Sequence, residues 1–245
     1  MTTLLQTSQD IFYPESDGKP MSENTEHYRW IVTIKENLEI VFAADADVFV
    51  AGDLLWYPIE ADPDTCAAPD VMVIFGVPKG KRGRYLQWEE GNIAPQVVFE
   101  IRSPSNSNTE LKKKFGFYQK HGVEEYYLYD PQNFALDGWQ RRGQRLEPIL
   151  NMNGWVSLRL GIRFLMTTED LEVYHPDGRR FLSSVELEQE RQRERERADR
   201  ERQLREQTES QLEQVKQQLG QLTEHLSALS PEQLKALGID PELLS

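Results

Sequence analysis

Between Glu26 and Phe42 the apolar residues Trp30, Ile34 and Leu38 recur at four-residue steps, which predicts a helix with one buried stripe. The segment from Asp47 to Pro58, DVFVAGDLLWYP, reads as an extended pair or a bent strand, and Pro69 to Gly76 as a strand ending at its glycine. In PQVVFEIRSP, Val97, Val98, Phe99 and Ile101 are apolar in nearly unbroken order, the pattern of a central strand covered on both faces. Pro104 ends it. Leu111, Phe115 and Tyr118 then follow at helical spacing, with Thr109 as cap and Gly122 as stop. EEYYLYDP supplies another strand, and FALDGWQR with LEPIL a hairpin turning at Asp137 and Gly138. Strand, strand, helix, strand and hairpin in that order imply an α/β fold, a mixed sheet with helix packed on a face.

Near residue 184 the pattern changes to a charged stretch with no proline and one glycine up to residue 229. There Leu212, Val215, Leu219, Leu222, Leu226 and Leu229 alternate spacings of three and four, the seam of a coiled coil. Upstream the same register runs through Arg191, Glu194, Ala198, Glu201 and Arg205, a polar seam supported by Glu196 with Arg200 and Glu201 with Arg205. Three parts follow: residues 1–183 as a globular domain, 184–229 as charged helix and coiled coil, and 230–245 as a short helical tail turning at Gly238. Pairing of two copies through 208–229 buries the seam. Folding back of the seam onto the first domain is the competing arrangement.

Composition narrows the class. With 245 residues, 38% hydrophobic and 28% charged, the chain supports one good core plus an appendage. A single cysteine, Cys66, excludes an internal disulfide and a thiolate zinc cluster, and fits a packing role in a reducing interior. MTTLLQTSQD lacks a basic leader and no run approaches the ~18 apolar residues of a membrane span, so a cytoplasmic protein without membrane contact is expected. A net charge of −13 argues against nonspecific wrapping of nucleic acid. It leaves room for a local basic rim, for which the 78–91 loop offers Lys79, Lys81, Arg82 and Arg84.

Candidate chemistry lies at two strand ends. Asp70 begins one hydrophobic strand and Glu100 interrupts the most apolar one. Carboxylates brought together on neighbouring strands repel unless a proton or cation intervenes, and Mg²⁺ is the simplest remedy. Lys114, on the helix after Glu100, could bring an ammonium to the same place, and two carboxylates with a lysine suit metal-assisted phosphodiester hydrolysis. The competing readings are a strand-start turn aspartate and a solvated Lys112–Lys114 face. His27 has no histidine or cysteine at ligand spacing and reads as helix surface, while Ser103 and Ser105 lack a nucleophile elbow.

APDVMV at 68–73, PQVVFEIRSPSN at 95–106, Lys114 with FGFYQKHGVEEYYLYDP at 115–131, and the later WVSLRLGIRF and YHPDGRRF run in one order over residues 20–182. In these motifs the chain resembles the Uma-type family of restriction-endonuclease-like proteins within the PD-(D/E)XK nuclease superfamily. The resemblance implies a restriction-endonuclease-like mixed sheet flanked by helices, with Asp70 and Glu100 as the metal-binding pair and the catalytic lysine on the following helix at Lys114. It also implies an acidic contribution from the first helix, for which Glu23 and Glu26 are candidates, Glu26 preferred. Arg102 stands where the wider superfamily has lysine, and a guanidinium does not readily release a proton. Either Lys114 supplies the ammonium and Arg102 contacts phosphate or structure, or the site has turned to binding without turnover.

The leading expectation is a Mg²⁺-dependent endonuclease acting on DNA, with Mn²⁺ as a substitute. Asp70, Glu100 and the Ile101 carbonyl hold the ion, Lys114 positions water, and Asn106 with the 79–84 loop touches the backbone. The alternative is an inactive nucleic-acid or protein-binding module that oligomerises through its coiled coil.

Overall fold

The computed structural model describes residues 11–16, 18, 24–238 and 240. The chain divides into two compact units, Met1–Ser184 and Val185–Ser245.

In the first unit, helix α1 (Thr25–Val41) buries Trp30, Ile31, Ile34 and Leu38, the anticipated stripe. Asn24 caps it, its side chain accepting from the His27 amide at 2.8 Å. There follow β1 (Val48–Gly52), β2 (Trp56–Tyr57), β3 (Val71–Phe75), β4 (Tyr85–Leu86), a 3-10 turn (Gln87–Glu89) and β5 (Val97–Ile101). Helix α2 (Asn108–Lys120), β6 (Glu125–Asp130), β7 (Ala135–Arg142), β8 (Arg145–Pro148), β9 (Arg163–Met166) and β10 (Leu171–Tyr174) complete the unit.

Six strands form one sheet in the order β1-β3-β5-β6-β7-β8. Only β5 and β6 run parallel, joined by α2 as a crossover; the other pairs are antiparallel, so the sheet is mixed as expected. β5 is central and buried throughout. Its side chains alternate between faces. Val97, Phe99 and Ile101 join the core under α1, whereas Val98 joins a second core with Tyr118 of α2. Glu100 shares the parity of Val98 and therefore faces α2.

Two local expectations require correction. Ser107, not Thr109, caps α2, accepting from the Glu110 amide at 3.1 Å. Gly122 ends it with φ +95°. Asp137 and Gly138 do not form the hairpin turn: they lie inside β7, and the chain turns at Gly143, where φ is +59°. Gly138 serves a close approach instead, since an added Cβ would stand 2.4 Å from Met152 Sδ. The β9–β10 hairpin had no counterpart among the expected elements; Phe164, Leu171 and Val173 from it pack into the α1 core.

In the second unit, α3 (Ser184–Ser227) is one continuous helix with no buried residue, and α4 (Pro231–Ala236) follows. Ser230 caps α4 reciprocally with Gln233, at 2.9 and 3.3 Å. Among the described residues this unit has a single long helix and no coiled-coil contact. Along the anticipated seam, Leu212, Val215, Leu219 and Leu222 are 54 to 62% exposed. Among the described residues, no helix is long and apolar enough to cross a membrane.

Candidate active site

The register β3 to β5, Val71 opposite Phe99, brings the start of β3 to the end of β5. Asp70 and Glu100 therefore meet at one sheet end, 8% and 3% exposed. Asp70 Oδ2 accepts from the Ile101 amide at 2.6 Å, which ties the carboxylate to the neighbouring strand.

Glu100 is held entirely by α2. Lys114 and Tyr118, four residues apart, lie on one helix face. Lys114 Nζ donates to Glu100 Oε2 at 2.6 Å and the Tyr118 hydroxyl donates to Oε1. Lys114 also reaches the Ala68 carbonyl at 3.4 Å. Burial pushes the Glu100 carboxyl up to about 7; the Lys114 ammonium opposes this and the Asp70 charge adds to it. Burial lowers Lys114, but Glu100 and Asp70 outweigh it and hold the ammonium above the ordinary lysine value. The Tyr118 phenol is raised by burial and by the adjoining carboxylate. The Lys114 ammonium and the Tyr118 hydroxyl thus offset part of the cost of holding Glu100 charged beside Asp70.

Of the two first-helix acids anticipated, Glu26 is engaged elsewhere, on Arg29 at 2.5 Å and on the Trp30 indole at 3.1 Å. His27, expected on the helix surface, is 6% exposed, and its Nε2 lies 3.1 Å from Asp70 Oδ2. Glu23 lies outside the described residues.

Arg102 stands apart from the acid pair, hydrogen-bonded to Asn108 at 3.0 Å and paired with Asp130 at 3.6 Å. Asn106 closes its own loop by accepting from the Ser103 amide at 3.0 Å. The basic loop starts far from this site. Lys79 follows β3 at the Val48 and Phe75 end of the sheet, opposite the Gly52 and Val71 end beside Asp70. There Lys79 Nζ caps the C-terminus of α1 through the Phe42 carbonyl at 2.5 Å; farther along the loop Arg82 pairs with Glu90 at 2.6 Å and Arg84 with Glu15 at 3.2 Å. These three cations serve the fold.

Tyr118 was legible only as an apolar helix position; its place one turn after Lys114 was the available signal. Among the described residues, no group of three or more His, Cys, Asp or Glu side chains is arranged to hold a metal ion.

The Uma2 family model, described as "Putative restriction endonuclease", matches residues 9–169. Among solved structures, one described as a putative nuclease from Anabaena variabilis is 21% identical, covering 57% of this chain and 75% of its own, with a TM-score of 0.43. No curated protein matches.

Proposed function

Because the chain belongs to the Uma2 family, PD-(D/E)XK-related and described as "Putative restriction endonuclease", we propose that it is a divalent-cation-dependent endonuclease hydrolysing DNA phosphodiester bonds. The observation that carries this reading is the convergence of Asp70, Glu100 and Lys114 at one sheet end, with Lys114 Nζ 2.6 Å from Glu100 Oε2.

The residues fit a hard cation. Mg²⁺ is commonly bound by one or two carboxylates and keeps several waters, and the site offers two carboxylates from different strands. Asp70 Oδ1 accepts no hydrogen bond from the described residues, so its lone pairs are open. Asp70 and Glu100 would hold the ion, with the Ile101 carbonyl as a third oxygen. When bound, such an ion polarises a phosphoryl oxygen and makes water a better nucleophile. Lys114 keeps its proton beside two carboxylates and so acts as a donor, not a base. Two of its N–H groups have protein acceptors; the third is available to orient the attacking water or to meet charge developing on the phosphate. Tyr118 fixes Glu100 from the other side and excludes solvent. Arg102 and Asn106 shape the β5–α2 loop, where they could meet the backbone of a bound strand.

Cleavage of single-stranded, duplex and branched DNA with Mg²⁺ or Mn²⁺ tests the reading. The wild type cuts at least one of these, and Asp70→Ala and Lys114→Met lose at least a hundredfold. Equal cutting by wild type and Asp70→Ala removes the acid pair from the chemistry.

The second reading is a binding module without turnover, favoured by Arg102, which is engaged with Asp130 and Asn108 and leaves the usual lysine position without an ammonium. DNA binding without cleavage under every condition above would select it. In both readings the open seam on α3 pairs with a second copy.

A further inference from the structure

The acid pair is gripped unevenly. Both oxygens of Glu100 carry a donor, whereas on Asp70 two donors converge on one oxygen: Oδ2 receives the Ile101 amide at 2.6 Å and lies 3.1 Å from His27 Nε2. An ionised carboxylate offers only acceptors, so Nε2 carries the proton. Oδ1 is left with its lone pairs unused by the described residues. A single bond from the Ile101 amide leaves a carboxylate free to turn about its own axis; a second donor from a different direction removes that freedom. The second donor is itself fixed. His27 sits in the first turn of α1, its amide held by Asn24 at 2.8 Å, and it is 6% exposed.

We infer that His27 is a positioning residue of the cation site: its Nε2–H locks Asp70 through Oδ2 so that Oδ1 is the atom offered to the ion. The inference rests on the cation role proposed for Asp70. Outer donors that orient a ligating carboxylate typically matter by about 10- to 100-fold in metal affinity, and His27 occupies that place.

Mn²⁺ binding to the full chain, followed by electron paramagnetic resonance, tests this. His27→Leu is expected to weaken Mn²⁺ by about 10- to 100-fold, while His27→Gln, which keeps a donor of similar reach, recovers most of the loss. Asp70→Asn abolishes site binding. Pulsed measurements on the wild type should show no large nitrogen coupling, because the imidazole does not touch the ion. Unchanged Mn²⁺ affinity in a folded His27→Leu overturns the inference while leaving the cation site intact. A directly bound nitrogen in the wild type overturns it by making His27 a ligand. Absence of any site-bound Mn²⁺ in the wild type removes the cation reading and this inference with it. If His27→Leu does not fold, the pulsed measurement on the wild type and the Gln variant decide alone.

Discussion

A carboxylate buried as deeply as Glu100 is expensive to ionise unless its oxygens are satisfied. Tyr118 and Lys114 meet that need from one helix face, which is why a polar residue interrupts an otherwise apolar strand. Tyr118→Phe leaves Oε1 without its donor and is expected to cost about 1 to 3 kcal/mol, read as a lower denaturant midpoint at unchanged slope. A second buried polar contact tunes stability with pH. Asn37 donates its amide to the Thr33 and Leu182 carbonyls at 2.7 and 2.8 Å, so its Oδ1 is the acceptor facing His175 Nε2 at 3.1 Å. Burial lowers the His175 pKa below 6.5, and Arg179 lowers it further against Asp177. The unfolded chain therefore takes up a proton near 6.5 that the folded chain refuses. Stability is full above that pH and declines as pH falls toward the lowered folded value. His175→Gln should flatten the decline between pH 7 and 5 in denaturant titrations; an unchanged slope would dissociate His175 from it.

At the scale of elements, strand parity decides what each side chain meets. Because β5 is covered on both faces, moving Glu100 by one position would place its carboxylate among Phe99 and Ile101 under α1, with no lysine to receive it. The helix that carries Lys114 begins one residue after Ser107, and the cap is the lever on its stability. Ser107→Ala should destabilise by about 1 kcal/mol, whereas Thr109→Ala, which removes no cap and brings in a better helix former, should leave stability unchanged or raise it by a few tenths. Equal effects of the two, measured by thermal melting, would contradict the observed start of α2.

At the scale of the molecule, a mixed sheet with its own two cores and a helix with no buried residue place stability and association in different parts. A fragment of residues 1–184 is expected to fold cooperatively and sediment as a monomer. The full chain is expected to sediment as a dimer, and Leu219→Glu to return it to monomer by placing charge in the seam. A full chain that stays monomeric at high concentration would remove the pairing of α3.

Periodicity and composition determined α1, the central strand β5, the mixed α/β class and the change near residue 184, because each is written in residues close along the chain and governed by the repeat of helix or strand. They also brought Asp70, Glu100 and Lys114 forward, helped by the family resemblance. Tertiary structure alone decided that His27 and not Glu26 reaches Asp70, 43 positions away in sequence, and that Tyr118 holds Glu100. It also sent Lys79 to the opposite sheet end and joined Asn37 to Leu182 across 145 positions. Such contacts depend on strand register and on where a helix docks. Neither leaves a local repeat, since the same side chain can lie in solvent or against a carboxylate without any change in its neighbours along the chain.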